Sequence, residues 1–558
     1  MKNDKLIAKY LAVTSCFVTL FVLAGPVADP VNATKLMALG TFSGAILFLS
    51  IPKKFAFKID FKNPSHILFF LLIVTFITPV LFSKTPISQN LYGVSGRNSG
   101  LVTFISLIIL LISASNIKDK SLNKIILNGF FVASIGNIFY GAWVWAVGDF
   151  IAWNNVYRSL LGTFGNPDFS SAFYGIAFSV FLNLTFNIEY KAYTRLLLFI
   201  SSISCLVLIS HTNAIQGFVV AAIGTFFVIF LQLIFIIRKK YLTLAYILLS
   251  AVSFIFSILG MLQKGPLENL LYKRSVSLRG SYWEAAYQTG MHNPFTGVGL
   301  DSFGNWYFRY RSEKAATWLP GPNVLTNTAH NLYLDLFAFG GVPLLIIFLS
   351  INIFVFIRII KYFRNSQKSL NFTFTSFVII FVTFQAQAVI SIGQIGLLIW
   401  WAISAGVILN FTNANLSGTH SQKTKMFFNQ SFIPTELIAS AGLISGFILS
   451  SPPFFADHKW TDAIRQQNAD KLIASTKASY FNPLDSERLA KTTLILAENN
   501  LLDQAHQVAI TATQFNPYHF DSWKVLYYLP NTTQNEKFEA RKKLVFLDPL
   551  NPKWKNLK

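Results

Sequence analysis

The sequence predicts an all-α fold: a polytopic membrane helical bundle of about thirteen spans, followed by a C-terminal extracytoplasmic helical domain. Three observations lead there. Hydrophobic residues make up 53% of the 558 residues and charged residues only 13%, a balance that a soluble core of this size does not need. The apolar residues fall in runs of about 20, the length that crosses the hydrocarbon layer. After Pro452-Pro453 the composition changes to that of a soluble helical segment, in which Phe481-Asn482-Pro483 recurs as Phe515-Asn516-Pro517, an offset of 34 residues.

Taken in order, the expected spans are 6–27, 33–52, 65–83, 99–116, 124–147, 167–186, 194–211, 214–237, 241–262, 332–357, 372–391, 394–411 and 432–451. The first follows Lys2 and Lys5 and is long enough for a retained signal anchor rather than a cleaved peptide. Connections after even-numbered spans hold most of the cations: Lys53 and Lys54, Lys118 and Lys120, Lys191 and Arg195, Arg238 to Lys240, Arg358 to Lys368, Lys423 and Lys425. Short odd-numbered connections hold little beyond Lys84, Arg97 and Arg158. That asymmetry predicts a cytoplasmic N-terminus, and an odd span count then puts the loop at 263–328, His330 and the tail outside the cytoplasm. The formal charge of +22 is thereby explained by orientation, and no nucleic-acid partner is expected. Cys16 and Cys205 both lie in apolar spans, with no disulfide framework and no zinc spacing.

Two regions follow: a transmembrane core, 1–452, and a tail, 453–558. The offset of the Asn-Pro self-match is the period of tetratricopeptide helix–turn–helix units, and a weaker echo at Asp548-Pro549 suggests about three of them. Leu489, Leu494, Ala497, Leu501, Ala505, Ala509 and Ala512 recur at helical spacing, with small residues where paired helices pack closely.

Candidate chemistry gathers on the outer side. Arg279-Gly280-Ser281-Tyr282-Trp283 reads as an amphipathic helix lying on the membrane, with Arg279, Tyr282, Trp283 and Ala286 on one face. A guanidinium beside aromatic rings suits a lipid-linked phosphate with sugar rings resting on Trp or Tyr; the alternative is an interfacial anchor. His292 to Phe303 reads as a glycine-rich turn. His330 opens a helical face continued by Tyr333, Leu334, Phe337 and Gly341, and a neutral imidazole accepts a proton from a sugar hydroxyl at neutral pH; the alternative is a histidine that hydrogen-bonds a helix start. Asn331 and Asp335 either orient this site or face water. Gly93 to Leu101 places Arg97, and Leu161 to Asp168 places Asn166, at outer ends of spans. No carboxylate pair stands at metal-ligand spacing, so neither metal nor cofactor is expected.

Together, Arg97 in GRNSGL, GTFGNPDF at 162–169, Arg279 with Trp283, NPFTGVGLDSF at 293–303 and HNLYLDLFAFGG at 330–341 resemble the bacterial O-antigen ligase and O-antigen polymerase superfamily, which includes O-oligosaccharyltransferases and has a branch with C-terminal tetratricopeptide repeats. The resemblance spans most of 90–410. It implies a metal-independent, inverting glycosyltransferase of the bacterial cytoplasmic (inner) membrane, which moves a glycan from undecaprenyl diphosphate to a hydroxyl of a glycan, lipid or protein acceptor. It implies His330 as base and Arg279 as one diphosphate ligand; Arg97, Asn166, Gln216, Arg274, Trp283 and Asn331 are substrate-binding candidates by their position and polarity. Membrane lipids, and a protein bound through the repeats, are further expected partners. One departure stands out: where many ligases carry another arginine, this chain reads Ser210-His211-Thr212-Asn213-Ala214-Ile215-Gln216-Gly217. Arg97, Arg158 or Arg274 is then the candidate second cation, and Gln216 a hydrogen-bonding group. A transporter of a lipid-linked glycan or small anion is the rival; it calls for discontinuous helices and internal symmetry, and the spans show no convincing symmetry. A scaffold would explain the tail but not the clustering of Arg279 and His330.

Overall fold

The computed structural model describes residues 2–51, 63–152, 155–272, 274–365, 370–412, 434–465, 470, 473 and 483–555. Its elements are α1 (Lys2–Leu20), α2 (Asn32–Ser50), α3 (Pro64–Phe82), α4 (Leu101–Ser115), α5 (Asn123–Ala146), α6 (Pro167–Thr185), α7 (Ala192–His211), α8 (Ile215–Gln232) and α9 (Lys240–Met261). The long loop holds α10 (Arg274–His292) and α11 (Phe303–Tyr310), after which come α12 (Leu332–Asn365), α13 (Phe372–Ala388), α14 (Ile395–Thr412) and α15 (Thr435–Ser450).

A helix thus occupies each expected stretch, though not every one is a candidate span by its own length and composition. Among the described residues eight helices are long and apolar enough to cross a membrane, or up to nine if a bent pair beginning with α15 is one span. The others fall short for identifiable reasons: α4 and α13 are shorter apolar helices, α1 carries Asp4, Lys5 and Lys9, and α6 buries Ser170, Ser171, Ser179 and Asn183 in the bundle.

Local starts follow from side-chain caps. Asn63 accepts from Ser65 N before Pro64 opens α3, Asn166 accepts from Asp168 N before Pro167 opens α6, and Asn371 caps α13; each satisfies a backbone donor that a helix start leaves open. Glycines set the tightest packing, between α2 and α15: a Cβ on Gly44 would lie 2.3 Å from the Gly442 carbonyl oxygen, so the two backbones touch as small residues allow. The α14 helix is buried almost throughout, whereas α9 buries only Gly260, as a lipid-facing helix does.

Hydrogen bonds collect the odd-numbered connections at one end of the bundle. Thr163 Oγ1 donates to Thr19 O at 2.8 Å, Gln394 Nε2 to Asn32 Oδ1 at 3.1 Å, Asn32 Nδ2 to Gly96 O at 2.7 Å, and Leu160 N to His211 O at 3.1 Å. At the opposite end Lys120 Nζ donates to Phe411 O at 3.0 Å and Arg358 Nη2 to Thr412 O at 2.9 Å. The cation-rich connections are thereby separated from those that hold the candidate site.

Past the core, α16 (Pro452–Ile464) leads towards two helix–turn–helix pairs, α17 (Ser486–Glu498) with α18 (Leu502–Phe515) and α19 (Phe520–Tyr528) with α20 (Gln534–Leu547). The pairs begin at the same offset as the Asn-Pro self-match. Phe481 and Asn482, half of that match, lie outside the described residues. Only a short helix, Pro552–Lys555, follows Asp548-Pro549, so the described tail holds two helix pairs rather than about three.

The tail docks on the long loop. Arg311 Nη2 makes a bidentate pair with the Asp548 carboxylate at 2.8 and 3.0 Å, both side chains fully buried. Trp306 stacks on Tyr518 with centroids 4.7 Å apart, and Phe308 meets Phe520 at 4.6 Å. Asp548→Ala leaves a buried guanidinium without its counter-charge, which costs roughly 3–5 kcal/mol. Thermal unfolding of the variant in detergent or nanodiscs is expected to show a clearly lowered midpoint; an unchanged midpoint would count against the docking described.

Candidate functional site

The site is organised by a break in α12. At Gly341 the backbone takes φ 69 and ψ −163 inside what is otherwise one helix, and Pro343 follows with no amide hydrogen to give. The break frees the carbonyls of Ala338 and Phe339, which accept from Val298 N at 2.9 Å and Gly299 N at 3.1 Å, while Val342 N donates to Pro294 O at 2.7 Å. The chain 294–299 is therefore laid into the broken helix as a backbone splint. No side chain fits between them: a Cβ on Gly297 would lie 2.2 Å from Phe339 O, and one on Gly341 2.3 Å from Pro294 O. The loop's other edge is tied to the segment after α3, where Thr85 Oγ1 donates to Val298 O at 2.6 Å and Leu300 N to Asn90 Oδ1 at 2.8 Å.

His330 stands just before the upper part of α12 with φ 54, a left-handed conformation unusual for histidine and costly unless the surroundings impose it. A carboxylate and a carboxamide hold the chain on either side of His330: buried Asp335 accepts from Ala329 N at 2.8 Å, and Asn331 Oδ1 accepts from Tyr333 N at 3.0 Å and Leu334 N at 3.1 Å as a helix cap. The Tyr282 ring lies against the imidazole, centroids 5.8 Å apart and 28° from parallel. Burial, then the charges of Arg279 and Arg97, push His330 from 6.5 down to about 4. At neutral pH the ring is uncharged, the form that accepts a proton.

Arg279 is carried by α10, and here the expected surface helix is corrected. Instead of lying on the membrane, α10 packs on α12, with Tyr282, Ala285, Ala286 and Thr289 buried. Small residues make this possible, since a Cβ on Gly290 would already sit 2.5 Å from the Phe337 ring. Arg279 Nη2 faces Asp168 Oδ2 at 3.7 Å, a loose pair whose carboxylate is 41% exposed, so the guanidinium remains open to a better anion. Burial lowers the Arg279 pKa and Asp168 opposes that shift. The Trp283 Nε1 is buried with no hydrogen-bond partner.

The remaining candidates separate. Arg97 Nη2 pairs with Asp301 Oδ1 at 2.6 Å and Nη1 donates to Asn327 O at 2.5 Å; Asp301, 1% exposed, also accepts from Val94 N at 2.8 Å. In this arrangement Arg97 ties the 93–99 turn to the loop, although its charge reaches His330. Asn166 caps α6 and donates to Tyr157 Oη at 3.3 Å. Gln216 donates to Gln387 Oε1 at 3.3 Å, leaving Gln216 Oε1 and Gln387 Nε2 buried without partners. The Arg274 side chain lies outside the described residues, and Arg158 is exposed. A small polar crevice between Arg97, Asp301, Asp485, Glu487 and His519 lies at the junction with the tail, and neither His330 nor Arg279 lines it.

The pairings of Tyr282 with His330, Asp168 with Arg279 and Asp301 with Arg97 are not foreseen by the sequence, although Tyr282 stands on the Arg279 face and Asp168 and Asp301 in glycine-containing motifs. Residues 196–349, which contain α10, the splint and His330, match the family model described as O-antigen ligase. No curated protein matches the chain. This segment is accordingly similar to an O-antigen ligase-type membrane enzyme.

Gly341→Ala is expected to remove activity and lower the unfolding midpoint, because it combines a positive φ with a clash against Pro294 O, a strain of about 1–3 kcal/mol. A fully active, equally stable variant would show that the splint does not shape the site.

Proposed function

We propose that the protein is a membrane glycosyltransferase of O-antigen ligase type, moving a glycan from a polyprenyl diphosphate to a hydroxyl of a glycan, lipid or protein acceptor at the outer face of the bacterial cytoplasmic membrane. The observation that carries this is the pairing of an uncharged His330 with a loosely engaged Arg279 on two helices that share one joint. The His330 ring nitrogen takes the acceptor's hydroxyl proton as that oxygen bonds to the anomeric carbon. The anomeric C–O bond to the diphosphate breaks with inversion, and Arg279 stabilises the charge growing on the leaving group. Trp283 and Gln216 are proposed sugar or phosphate contacts, and the helix pairs of the tail a tetratricopeptide-like surface for acceptor or protein partner.

The transporter reading gains one observation, the discontinuous α12. Its open backbone groups, however, bind the chain's own residues 294–299, whereas a transporter's broken helix leaves them for cargo. Uptake of a lipid-linked glycan into vesicles without transfer would favour the rival.

His330→Ala is expected to lower turnover roughly 10²–10⁴-fold and Arg279→Ala roughly 10²–10³-fold, both with intact insertion; wild-type turnover in either would remove its role. Because the His330 pKa is lowered to about 4, the free enzyme keeps its base uncharged at any pH above that value. The kcat/KM profile should therefore stay level from neutrality down to roughly one pH unit above 4. The acid limb of kcat should lie higher, since a bound diphosphate offsets the Arg279 charge. A limb near 6.5 in kcat/KM would show that the base is a different, unperturbed group.

Lysine asymmetry supports a loop outside the cytoplasm. A cysteine at position 264 or 313 should react with a membrane-impermeant reagent in intact cells. Reaction only after permeabilisation would put the site on the cytoplasmic side.

A further inference from the structure

Below His330, three helices exchange polar side chains where membrane-embedded groups are costly unless they satisfy one another. The Tyr333 hydroxyl donates to Gln385 Oε1. Gln385 Nε2 donates to Asn352 Oδ1 at 2.7 Å, and Trp401 Nε1 donates to the same oxygen at 2.9 Å. Asn352 completes its bonding by giving Nδ2 to Phe348 O at 2.8 Å. Asn352 and Trp401 are 4% and 1% exposed.

The placement is what gives the network a role. Tyr333 belongs to the upper part of α12, three positions after His330, and Asn352 to the lower part, beyond the Gly341 break. The helical hydrogen-bond ladder does not run unbroken through Gly341, so local structure alone does not fix how one part stands on the other. The splint at 294–299 fixes their separation through backbone contacts. It leaves the rotation of the upper part to side chains, and Gln385 on α13 holds both parts at once, through Tyr333 above and through Asn352 below, which Trp401 of α14 also bonds. An amide serves this purpose because it donates to one side and accepts from the other in fixed directions.

We propose that Gln385 is a positioning residue for His330, acting through Tyr333 above the break and Asn352 with Trp401 below it. The inference rests on the glycosyltransferase reading for its consequence in turnover, but the ladder itself is open to a test that needs no activity. Binding of donor does not pass through these groups, whereas the aim of the imidazole does.

The test uses full-length protein in lipid nanodiscs, with Gln385→Met, which keeps the volume, Tyr333→Phe, which removes one oxygen, and the double variant. Transfer from a polyprenyl-diphosphate glycan should show kcat reduced about tenfold or more with the donor KM within about twofold. The double variant should be no slower than the slower single one, as for groups acting as a unit. Amide hydrogen exchange in 329–340 should quicken at least about tenfold while 395–412 is unchanged. Unchanged exchange and kcat in Tyr333→Phe would overturn the proposal even if Gln385→Met fails to fold. Additive losses, or a raised KM with intact kcat, would also overturn it by pointing to independent or binding roles. A wild-type protein that transfers no glycan sinks the enzyme reading instead, and the exchange result still decides the ladder.

Discussion

The structure around the site depends on one constraint: a helix broken at Gly341 must satisfy its open backbone groups in a region where water is scarce. The chain meets it with its own residues 294–299, through Val298, Gly299 and Pro294. Three consequences follow from that single insertion. It sets how far the upper part of α12, which follows His330, stands from the lower. It fixes the end of α10 immediately before Asn293 and Pro294, and so the reach of Arg279. It also places Asp301 directly beyond the splint, where its carboxylate meets Arg97. Base, cation and turn are thus ordered by hydrogen bonds between backbones, which is why glycines rather than polar side chains mark the joint.

Much of this was legible as residues and little of it as pairings. The helices appear where apolar runs stand, because a period and a length are local properties of a sequence. The glycines of 297–299 and 340–341 announce close approach of backbone, but not that the two stretches approach each other. The sequence does not reveal that Arg97 pairs with Asp301, because the two are about two hundred positions apart and a distant ion pair leaves no local trace. The pattern of α10 was ambiguous for a different reason: Tyr282, Ala285, Ala286 and Gly290 make one face that suits either a membrane surface or another helix, and only the fit of Gly290 against Phe337 decides it. Length and apolarity alone single out fewer helices than the sequence suggests, because short or polar helices, α4 and α6 among them, cover their polar groups inside the bundle.

The tail illustrates how a composition change can overstate independence. From Pro453 onward the sequence looks like an appended unit, yet Phe520, Leu544, Leu547 and Trp554 share one apolar cluster with Phe303, Tyr307 and Phe308 of the loop. A loop of this length, interrupted by charges and glycines, has too little apolar surface to order itself. The tail supplies the missing face, and the buried Arg311–Asp548 pair fixes the register between them, a role for which buried ion pairs are better suited than for stability. An acceptor bound on the helix pairs would therefore rest on the same body that carries the splint.

As the proposed base, an imidazole held down to about 4 draws a proton from a sugar hydroxyl only weakly, and its electrostatics show how that changes. Burial and two nearby guanidinium charges depress His330, and under the proposed reaction one of them, Arg279, is the group that receives the donor's diphosphate. Donor binding then brings negative charge to the place from which the imidazole is repelled, so the ring becomes more basic when there is a glycan to transfer. Linkage makes the effect reciprocal: whatever factor donor binding adds to the affinity of His330 for a proton, protonation of His330 adds to the affinity for donor. The empty site keeps a weak, uncharged base beside an open cation, and the loaded site holds a stronger base beside a neutralised one. Under the proposed reaction, the proximity of Arg279 to His330, set by the packing of α10 on α12, would serve leaving-group stabilisation and base tuning together, and a longer separation would forfeit the second.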